Sequence, residues 1–222
     1  MPSVLFGSIS TLADTSELQR QSFNEAFAEH GTGWTWERAE YAALLASSGG
    51  QDRVAEYAAS RGESVDAAAV HATKSRLFQE KLGQGGLTPR PGVVETIAAA
   101  KAQGMTVGLV TTTSGANVAG LLAALEPHVG AGTFDVVVDA DSVAAAKPAP
   151  DAYTYAVAEL AEAAGGCVAI EDNVGGVQAA GAAGLTCIAF PNANTAGHDF
   201  TPARAVVAAL DPTEVLGLAT SS

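Results

Sequence analysis

Three polar segments of this chain could together bind a phosphate group and a divalent cation. They are Thr111–Ser114, Lys147 and the pair Glu171-Asp172, and each follows an apolar run, directly or after a loop. Hydroxyl groups bind phosphate oxygens, a lysine ammonium supplies a positive point charge, and carboxylates are preferred ligands of Mg²⁺. If the fold brings these segments together, they predict a phosphate site with an adjoining metal site.

The alternation of strand and helix patterns after residue 87 predicts how the segments meet. Apolar runs predict strands at 4–6, 106–110, 134–138, 167–170 and 187–190. Helical patterns occupy 91–103, 116–125, 151–163, 175–183 and 212–218. This alternation is typical of an α/β fold with a Rossmann-like, doubly wound parallel sheet, whose ligand site lies at the carboxyl ends of the strands. The three polar segments follow such ends.

The stretch from 14 to 86 has a different pattern, because it predicts helices and no strand. The helices are expected at 16–30, 36–46, 52–60 and 65–82. Asp14 and Glu17 resemble a capping box that would begin the first of them near Thr15. We therefore predict an α/β core domain at 1–13 and 87–222, with an all-helical cap domain at 14–86 inserted after the first strand.

Composition limits the classes of partner. The net charge of −13, with only 11 Lys and Arg, opposes binding to nucleic acid or to an anionic membrane. No apolar run reaches the ~18 residues of a membrane span, and Met1–Phe6 lacks signal-peptide features, so a cytoplasmic protein is expected. Cys167 and Cys187 lie in apolar runs and are predicted to be buried thiols rather than a disulfide or metal pair. The oligomeric state is not indicated.

The order and spacing of the polar segments resemble the haloacid dehalogenase superfamily, in particular its branch of β-phosphoglucomutase and CbbY-like sugar-phosphate phosphatases. The likeness covers nearly the whole chain, and its most specific part is Lys147–Asp151 followed by a strand and Glu171-Asp172. Further segments that carry it are Thr11–Thr15, Gly49–Arg53, His71–Lys74, Pro89–Gly92 and Thr111–Ser114. The resemblance implies a phosphorylated small molecule of the sugar-phosphate type, bound between core and cap, and Mg²⁺ as a cofactor.

The segment after the first strand departs from the family pattern Asp-x-Asp-Gly-Thr-Leu-x-Asp. Alignment on Thr11–Asp14 puts Gly7 where the family has its nucleophile, and Ile9 where it has its general acid and base. Neither residue can perform these steps, so no catalytic residue is intact and phospho-aspartyl catalysis is predicted to be lost or strongly impaired. The same alignment predicts that Gly7→Asp combined with Ile9→Asp would increase the affinity for Mg²⁺.

The resemblance also implies roles for the remaining core residues. Thr111, Thr112 and Lys147 would bind phosphate, although Lys147 could instead form a structural ion pair with the acidic residues. Glu171 and Asp172 would hold Mg²⁺ weakly, with help from a backbone carbonyl, or would simply be favourable charges at a helix start.

In the cap, Gly50, Arg53, His71 and Lys74 would contact the substrate. His71 and Lys74 are three residues apart and share a helix face, which could also be a solvated surface. Gln19 stands where the mutase branch has a histidine that helps to open the sugar ring, which argues against mutase activity.

Three functions follow from these features and remain open. The first is a binder of a phosphorylated sugar whose catalysis is lost or impaired, and we favour it because the phosphate-binding residues remain while the aspartates do not. The second is an active Mg²⁺-dependent phosphatase with unrecognised chemistry, for which Ser8 and Ser10 are candidate nucleophiles without a nearby histidine. The third is a structural or regulatory partner protein without a small ligand.

Overall fold

The computed structural model describes residues 1–46 and 49–220, and a six-stranded parallel sheet forms its centre. The strands are β1 (Ser3–Phe6), β2 (Thr106–Val110), β3 (Val136–Val138), β4 (Cys167–Glu171), β5 (Thr186–Ala189) and β6 (Ala205–Val206). Their order is β3-β2-β1-β4-β5-β6, and all neighbours are parallel. Because β1 lies between β2 and β4, the residues that follow it reach the middle of the sheet edge.

The described chain between β1 and β2 is helical. It contains α1 (Ile9–Leu12), α2 (Ser16–Glu29), α3 (Arg38–Leu44), α4 (Gly50–Ser60), α5 (Ala67–Leu82) and α6 (Val93–Ala102). Helices α2 to α5 share an apolar cluster of their own, rich in aromatic rings such as Phe23, Phe27 and Trp36. The rings of Phe27 and Trp36 meet edge to face with centroids 4.6 Å apart, a favourable geometry for an aromatic pair. This helical insert follows the first strand, as predicted.

The remaining helices and α6 cover the two faces of the sheet. They are α7 (Gly115–Leu125), α8 (Asp151–Glu159), α9 (Val174–Ala182) and α10 (Pro212–Thr220). Val4 and Phe6 of β1 pack with α6, α7 and α10, whereas Leu5 packs with α8 and α9. The doubly wound α/β fold is therefore confirmed, whereas the exact division into core and cap domains stays a prediction.

Most predicted elements are present with ends moved by a few residues. Short elements of the structure such as β6 and α1 were not predicted. Strand β6 is a two-residue edge strand, and α1 is a single turn, so neither is long enough to show a periodic pattern. The predicted capping box is not formed, because the N-cap of α2 is Thr15 and its side chain makes no capping hydrogen bond. The Oδ1 of Asp14 accepts the Ser16 amide at 3.0 Å and α2 begins at Ser16, but Glu17 pairs with Arg20 instead of with the backbone.

Arg90 ties the loops after β1 and β5 together. Its Nη1 donates to the carbonyl oxygens of Ser10 at 3.1 Å and Phe190 at 2.8 Å, and its Nη2 donates to that of Pro191 at 2.6 Å. Charge-assisted bonds from a planar guanidinium hold these carbonyls in a fixed arrangement. The edge of the sheet that follows β1 and β5 is thereby braced.

Cys167 and Cys187 are buried and unpaired, as predicted. None of the helices within residues 1–46 and 49–220 combines the length and the apolar character needed to cross a membrane.

Gly92 precedes α6 in a left-handed conformation that leaves no room for a side chain. Its φ is +84°, and a Cβ there would lie 2.0 Å from the carbonyl oxygen of Leu210. We expect Gly92→Ala to lower the free energy of unfolding by about 3 kcal/mol, the sum of left-handed strain and overpacking. Gly104→Ala is the matched control, since φ is +72° but no heavy atom lies within 4 Å. It should cost only about 1 kcal/mol. Equal losses in denaturant titrations would contradict the steric explanation.

Candidate phosphate site

A cavity of about 400 Å³ lies between the carboxyl ends of the strands and the helices α2 to α5. Its core wall is mostly polar and includes Gly7, Ser8, Ile9, Ser10, Thr111, Thr112, Thr113, Ser114, Asn117, Lys147, Asp172, Asn173, Asn192 and Thr195. Its cap wall includes Ser16, Gln19, Phe23, Tyr41, Gly50, Asp52, Arg53, His71 and Lys74. All the site residues predicted from the sequence line this cavity except Glu171.

The hydroxyl-rich loop after β2 leads into α7 and is held by hydrogen bonds. The Oγ1 of Thr111 accepts the Thr113 amide at 3.2 Å, and Ser114 caps α7 by accepting the Asn117 amide. Asn117 donates to the Oγ1 of Thr113 at 2.9 Å and accepts a bond from Gln79 of α5 at 3.0 Å. The loop therefore combines hydroxyls with the positive end of a helix, which is a favourable environment for an anion.

Lys147 uses its three N–H donors inside the protein. Its Nζ donates to the carbonyl oxygens of Gly7 and of Val110, the latter at 2.6 Å, and to Oε1 of Glu171 at 2.6 Å. Since an ammonium group has three donors, a phosphate contact would require one of these bonds to be exchanged. The geometry is that of the structural ion pair considered above, and direct contact with phosphate remains a prediction.

The space beside Gly7 is filled from the opposite side by Glu171 and Tyr153. A Cβ at position 7 would lie 2.1 Å from Oε1 of Glu171 and 2.2 Å from the Tyr153 hydroxyl oxygen. A Cβ at Gly176 would lie 2.1 Å from Cδ of the same glutamate. Glu171 is thus enclosed between two glycines.

The crowding corrects an expectation from the sequence. An aspartate at position 7 would collide with Glu171 and Tyr153, so Gly7→Asp with Ile9→Asp would not simply add a metal ligand. The alignment assumed free space beside position 7, but the side chains of Glu171 and Tyr153 occupy that space.

Glu171 is fully buried and is not among the residues that line the cavity. Its Oε1 accepts bonds from Lys147 and from the Tyr153 hydroxyl at 2.8 Å, while its Oε2 has no hydrogen-bond partner among the described residues. Burial raises the pKa of the Glu171 carboxyl, and the Lys147 ammonium opposes that rise. Burial also raises the pKa of Tyr153, which keeps its hydroxyl protonated as a donor.

Asp172 lines the cavity, and both of its carboxylate oxygens accept hydrogen bonds. Oδ1 accepts the Ser8 hydroxyl at 2.6 Å, and Oδ2 accepts the Asn192 amide at 2.6 Å. The Ser8 oxygen also accepts the amides of Ser10 and Thr11 at the start of α1. Asp172 therefore joins the loops after β1, β4 and β5.

This donor set does not fit Mg²⁺ as arranged. Within residues 1–46 and 49–220, no three His, Cys, Asp or Glu side chains gather as a metal-binding group. Magnesium requires oxygen lone pairs in octahedral geometry, whereas Glu171 is fully buried and the Asp172 carboxylate already accepts bonds from Ser8, Asn173 and Asn192. Weak binding of Mg²⁺ at Glu171 and Asp172 stays a prediction, and no chemical step is assigned to the ion.

The cap wall contributes three basic side chains. Arg53 is buried, and its Nε donates to the Leu44 carbonyl at 2.9 Å. Burial, helped by Lys74, lowers the pKa of His71 to about 4, so its imidazole is neutral at pH 7. Burial, helped by Arg53, lowers the pKa of Lys74 to about 7. Two cations, Arg53 and Lys74, that lie close together at the cavity wall are a suitable environment for an anionic ligand.

Several residues of the site escaped the sequence analysis. Asn192 and Thr195 follow β5, and the rule that sites lie at strand ends, applied to that strand, would have found them. Tyr153 lies on α8 and carries no local signal for its contact with Glu171. The carboxylate beside Ser8 comes from a residue 164 positions away, so the chain order could not indicate it.

The haloacid dehalogenase-like hydrolase family matches residues 4–184 of the chain. Protein CbbY of Cereibacter sphaeroides is 39% identical over 203 residues, which cover 90% of this chain and 88% of the relative. The plasmid-encoded CbbY of Cupriavidus necator is 40% identical over 228 residues, with 96% of this chain and 88% of the relative covered.

Solved structures agree with these matches. The crystal structure of CbbY from Rhodobacter sphaeroides in complex with phosphate aligns with a TM-score of 0.85 and 36% identity, over 99% of this chain and 96% of that one. A mutant of the same protein in complex with xylulose 1,5-bisphosphate aligns with a TM-score of 0.86, the same identity and the same coverage.

Gly7→Ala tests whether Glu171 and Tyr153 occupy the space beside Gly7. We expect the added methyl to lower the free energy of unfolding by about 2 kcal/mol through overpacking. Gly181→Ala in α9 is the control, because no heavy atom lies within 4 Å of its Cβ. It should raise stability by up to about 1 kcal/mol through helix propensity. A neutral Gly7→Ala in denaturant titrations would show that the space is open.

Lys74→Met tests the burial of an ammonium group. Between pH 7 and 10.5 the unfolded chain keeps the Lys74 proton that the folded chain has released, so the contribution of Lys74 to wild-type stability rises with pH in this window. We expect the variant to unfold at a higher temperature at pH 7 and to show a smaller rise over the same window. Lys101→Met, at an exposed position, should keep the wild-type profile. Identical pH profiles for wild type and Lys74→Met would contradict the assignment.

Proposed function

The chain belongs to the haloacid dehalogenase-like hydrolase family, and from that premise we propose that it is a pseudoenzyme that binds a phosphorylated sugar. One observation carries the proposal: Glu171 and Tyr153 fill the space that a side chain at position 7 would need, and alignment on Thr11–Asp14 equates that position with the family's nucleophile. No acceptor for a phosphoryl group remains at that position, because glycine has no side chain. The cavity itself is retained and is lined by hydroxyls and basic groups.

The proposed ligand would lie with a phosphate against the hydroxyl loop and its sugar towards the cap. Thr111, Thr112 and the amides at the start of α7 are the phosphate donors of the core, and Arg53 supplies charge from the cap. In support, the related CbbY structures hold phosphate in one case and xylulose 1,5-bisphosphate in the other. The chain has a net charge of −13 and only 11 Lys and Arg, so basic side chains on one wall of a cavity are unusual for its composition.

A specific contact favours the alternative of an active phosphatase. The Ser8 hydroxyl lies beside the nucleophile's position and donates to the Asp172 carboxylate at 2.6 Å, which could serve as a base. The same oxygen accepts two backbone amides of α1, so its lone pairs already cap a helix. The capping bonds make Ser8 a less suitable nucleophile. A measurement of phosphatase turnover decides between the two functions. A purely structural or regulatory partner protein is the remaining alternative, and no contact in the described residues favours it.

Turnover and ligand binding together test the proposal. The purified chain is incubated with inorganic phosphate, sugar phosphates including xylulose 1,5-bisphosphate, and an aryl phosphate, with and without Mg²⁺. We expect no release of phosphate but a rise in melting temperature with a sugar phosphate, since a ligand of the native state adds stability. Turnover above about 1 per second would overturn the proposal, and Ser8→Ala would then show whether that residue is the nucleophile.

Arg53→Met and Arg61→Met are a matched pair for the binding arm. Arg53 is buried in the cavity wall, whereas Arg61 is exposed at the end of α4. We expect the ligand-induced shift, measured from each variant's own melting temperature, to fall strongly in Arg53→Met and to persist in Arg61→Met. The absence of a shift with every phosphate in the wild type would favour the structural or regulatory alternative.

A further inference from the structure

Lys74 lies deep in the cap wall of the cavity and is backed by aromatic rings. The residue is 4% exposed, and its Nζ is 5.0 Å from the ring centroids of both Phe23 and Phe78. It is one of the residues that line the cavity. Its amine is therefore removed from bulk water and still faces the space in which a ligand would lie.

Among the described residues, no acid forms an ion pair with this amine. Its hydrogen bond is donated to the Oε1 of Gln19 at 3.0 Å, an uncharged amide, and the charge that acts on it is the cationic Arg53. The other internal lysine, Lys147, has Glu171 at 2.6 Å, and Lys81 of α5 has Glu25 at 2.8 Å. Lys74 thus combines burial with a cationic neighbour, the two conditions that favour the neutral and nucleophilic form of a lysine amine.

The free amine is present near neutral pH. Burial, with a smaller contribution from Arg53, lowers the pKa of Lys74 to about 7. About half of the molecules then carry an uncharged amine at that pH. His71, one turn earlier on α5, is neutral in the same range and adds no competing positive charge.

We propose that Lys74 forms an imine with the carbonyl group of an open-chain sugar phosphate held in the cavity. This inference rests on the proposed function for the binding of the sugar phosphate, and adds a covalent step that the binding does not require. The phosphate would be held by the hydroxyl loop of the core, and the carbonyl carbon would face the cap.

The step needs no further reactant. The lone pair of Nζ forms a bond to the carbonyl carbon, the carbonyl oxygen takes up a proton, and the amine loses one. The resulting carbinolamine loses that oxygen as water, which leaves a carbon–nitrogen double bond. Nothing is oxidised or reduced, and hydrolysis by the released water reverses the step.

Reductive trapping tests this inference. The chain of residues 1–222 is incubated with xylulose 1,5-bisphosphate and sodium cyanoborohydride, and the intact protein and its peptides are analysed by mass spectrometry. We expect one adduct with the mass of the sugar bisphosphate less one oxygen atom, located on Lys74. Its rate of formation should rise as the pH increases through about 7. Adducts distributed over Lys81 and Lys101 as well, or the absence of any adduct, would overturn the inference.

Two variants and a second ligand separate this result from the binding itself. Lys74→Arg keeps the charge and should lose the adduct, whereas Lys101→Arg should keep it. Xylitol 1,5-bisphosphate has the same phosphates but no carbonyl, so its effect on melting temperature reports binding alone. A shift with the alditol and no adduct with the ketose rejects the imine and leaves the proposed function standing. No shift and no adduct reject both.

Discussion

The buried ion pair between Lys147 and Glu171 organises the rest of the site. A charge pair in the interior is tolerated only when its remaining donors and acceptors are satisfied, and removal of one partner leaves an uncompensated charge. Lys147 meets this condition through two backbone carbonyls, and Glu171 meets it partly through Tyr153. The pair also links β1, β2 and β4, because its contacts come from the ends of all three strands.

The same pair explains how the chain accommodates glycine at the start of the site. Glu171 supplies the negative charge that offsets Lys147 from the end of the neighbouring strand. Gly7 and Gly176 provide the room for it on either side. Glycine at position 7 and the packing of Glu171 therefore belong together.

Charge is distributed in opposite ways over the two walls of the cavity. The core wall holds its charges in internal pairs and hydrogen bonds, as at Lys147 and Asp172. The cap wall holds Lys74, whose amine donates to the uncharged amide of Gln19, with Arg53 nearby as a second cation. An anionic ligand would complement the positive charge of the cap wall. Because the net charge of the chain is −13, few other sites on it would attract an anion.

Much of this architecture could be predicted from local patterns. Alternating apolar runs and helical periods indicated the parallel sheet and the helical insert, because strands buried on both faces and amphipathic helices leave periodic signals in the residues themselves. The rule that ligands bind at the carboxyl ends of parallel strands also located the cavity, and its walls contain nearly all the residues named in advance. The ends of elements, and short elements such as α1 and β6, were harder to predict from the sequence, because a single turn or two residues show no periodic pattern.

Contacts between distant residues depended on the tertiary structure. The order of the chain shows a glycine at position 7, but only the packing reveals that Glu171 and Tyr153 occupy the adjoining space. The sequence likewise shows a lysine at position 74. Only its burial against Phe23 and Phe78, beside Arg53, lowers the pKa of its amine. Local sequence decides the backbone pattern through steric and periodic preferences, whereas side-chain chemistry depends on neighbours that are brought together from far along the chain.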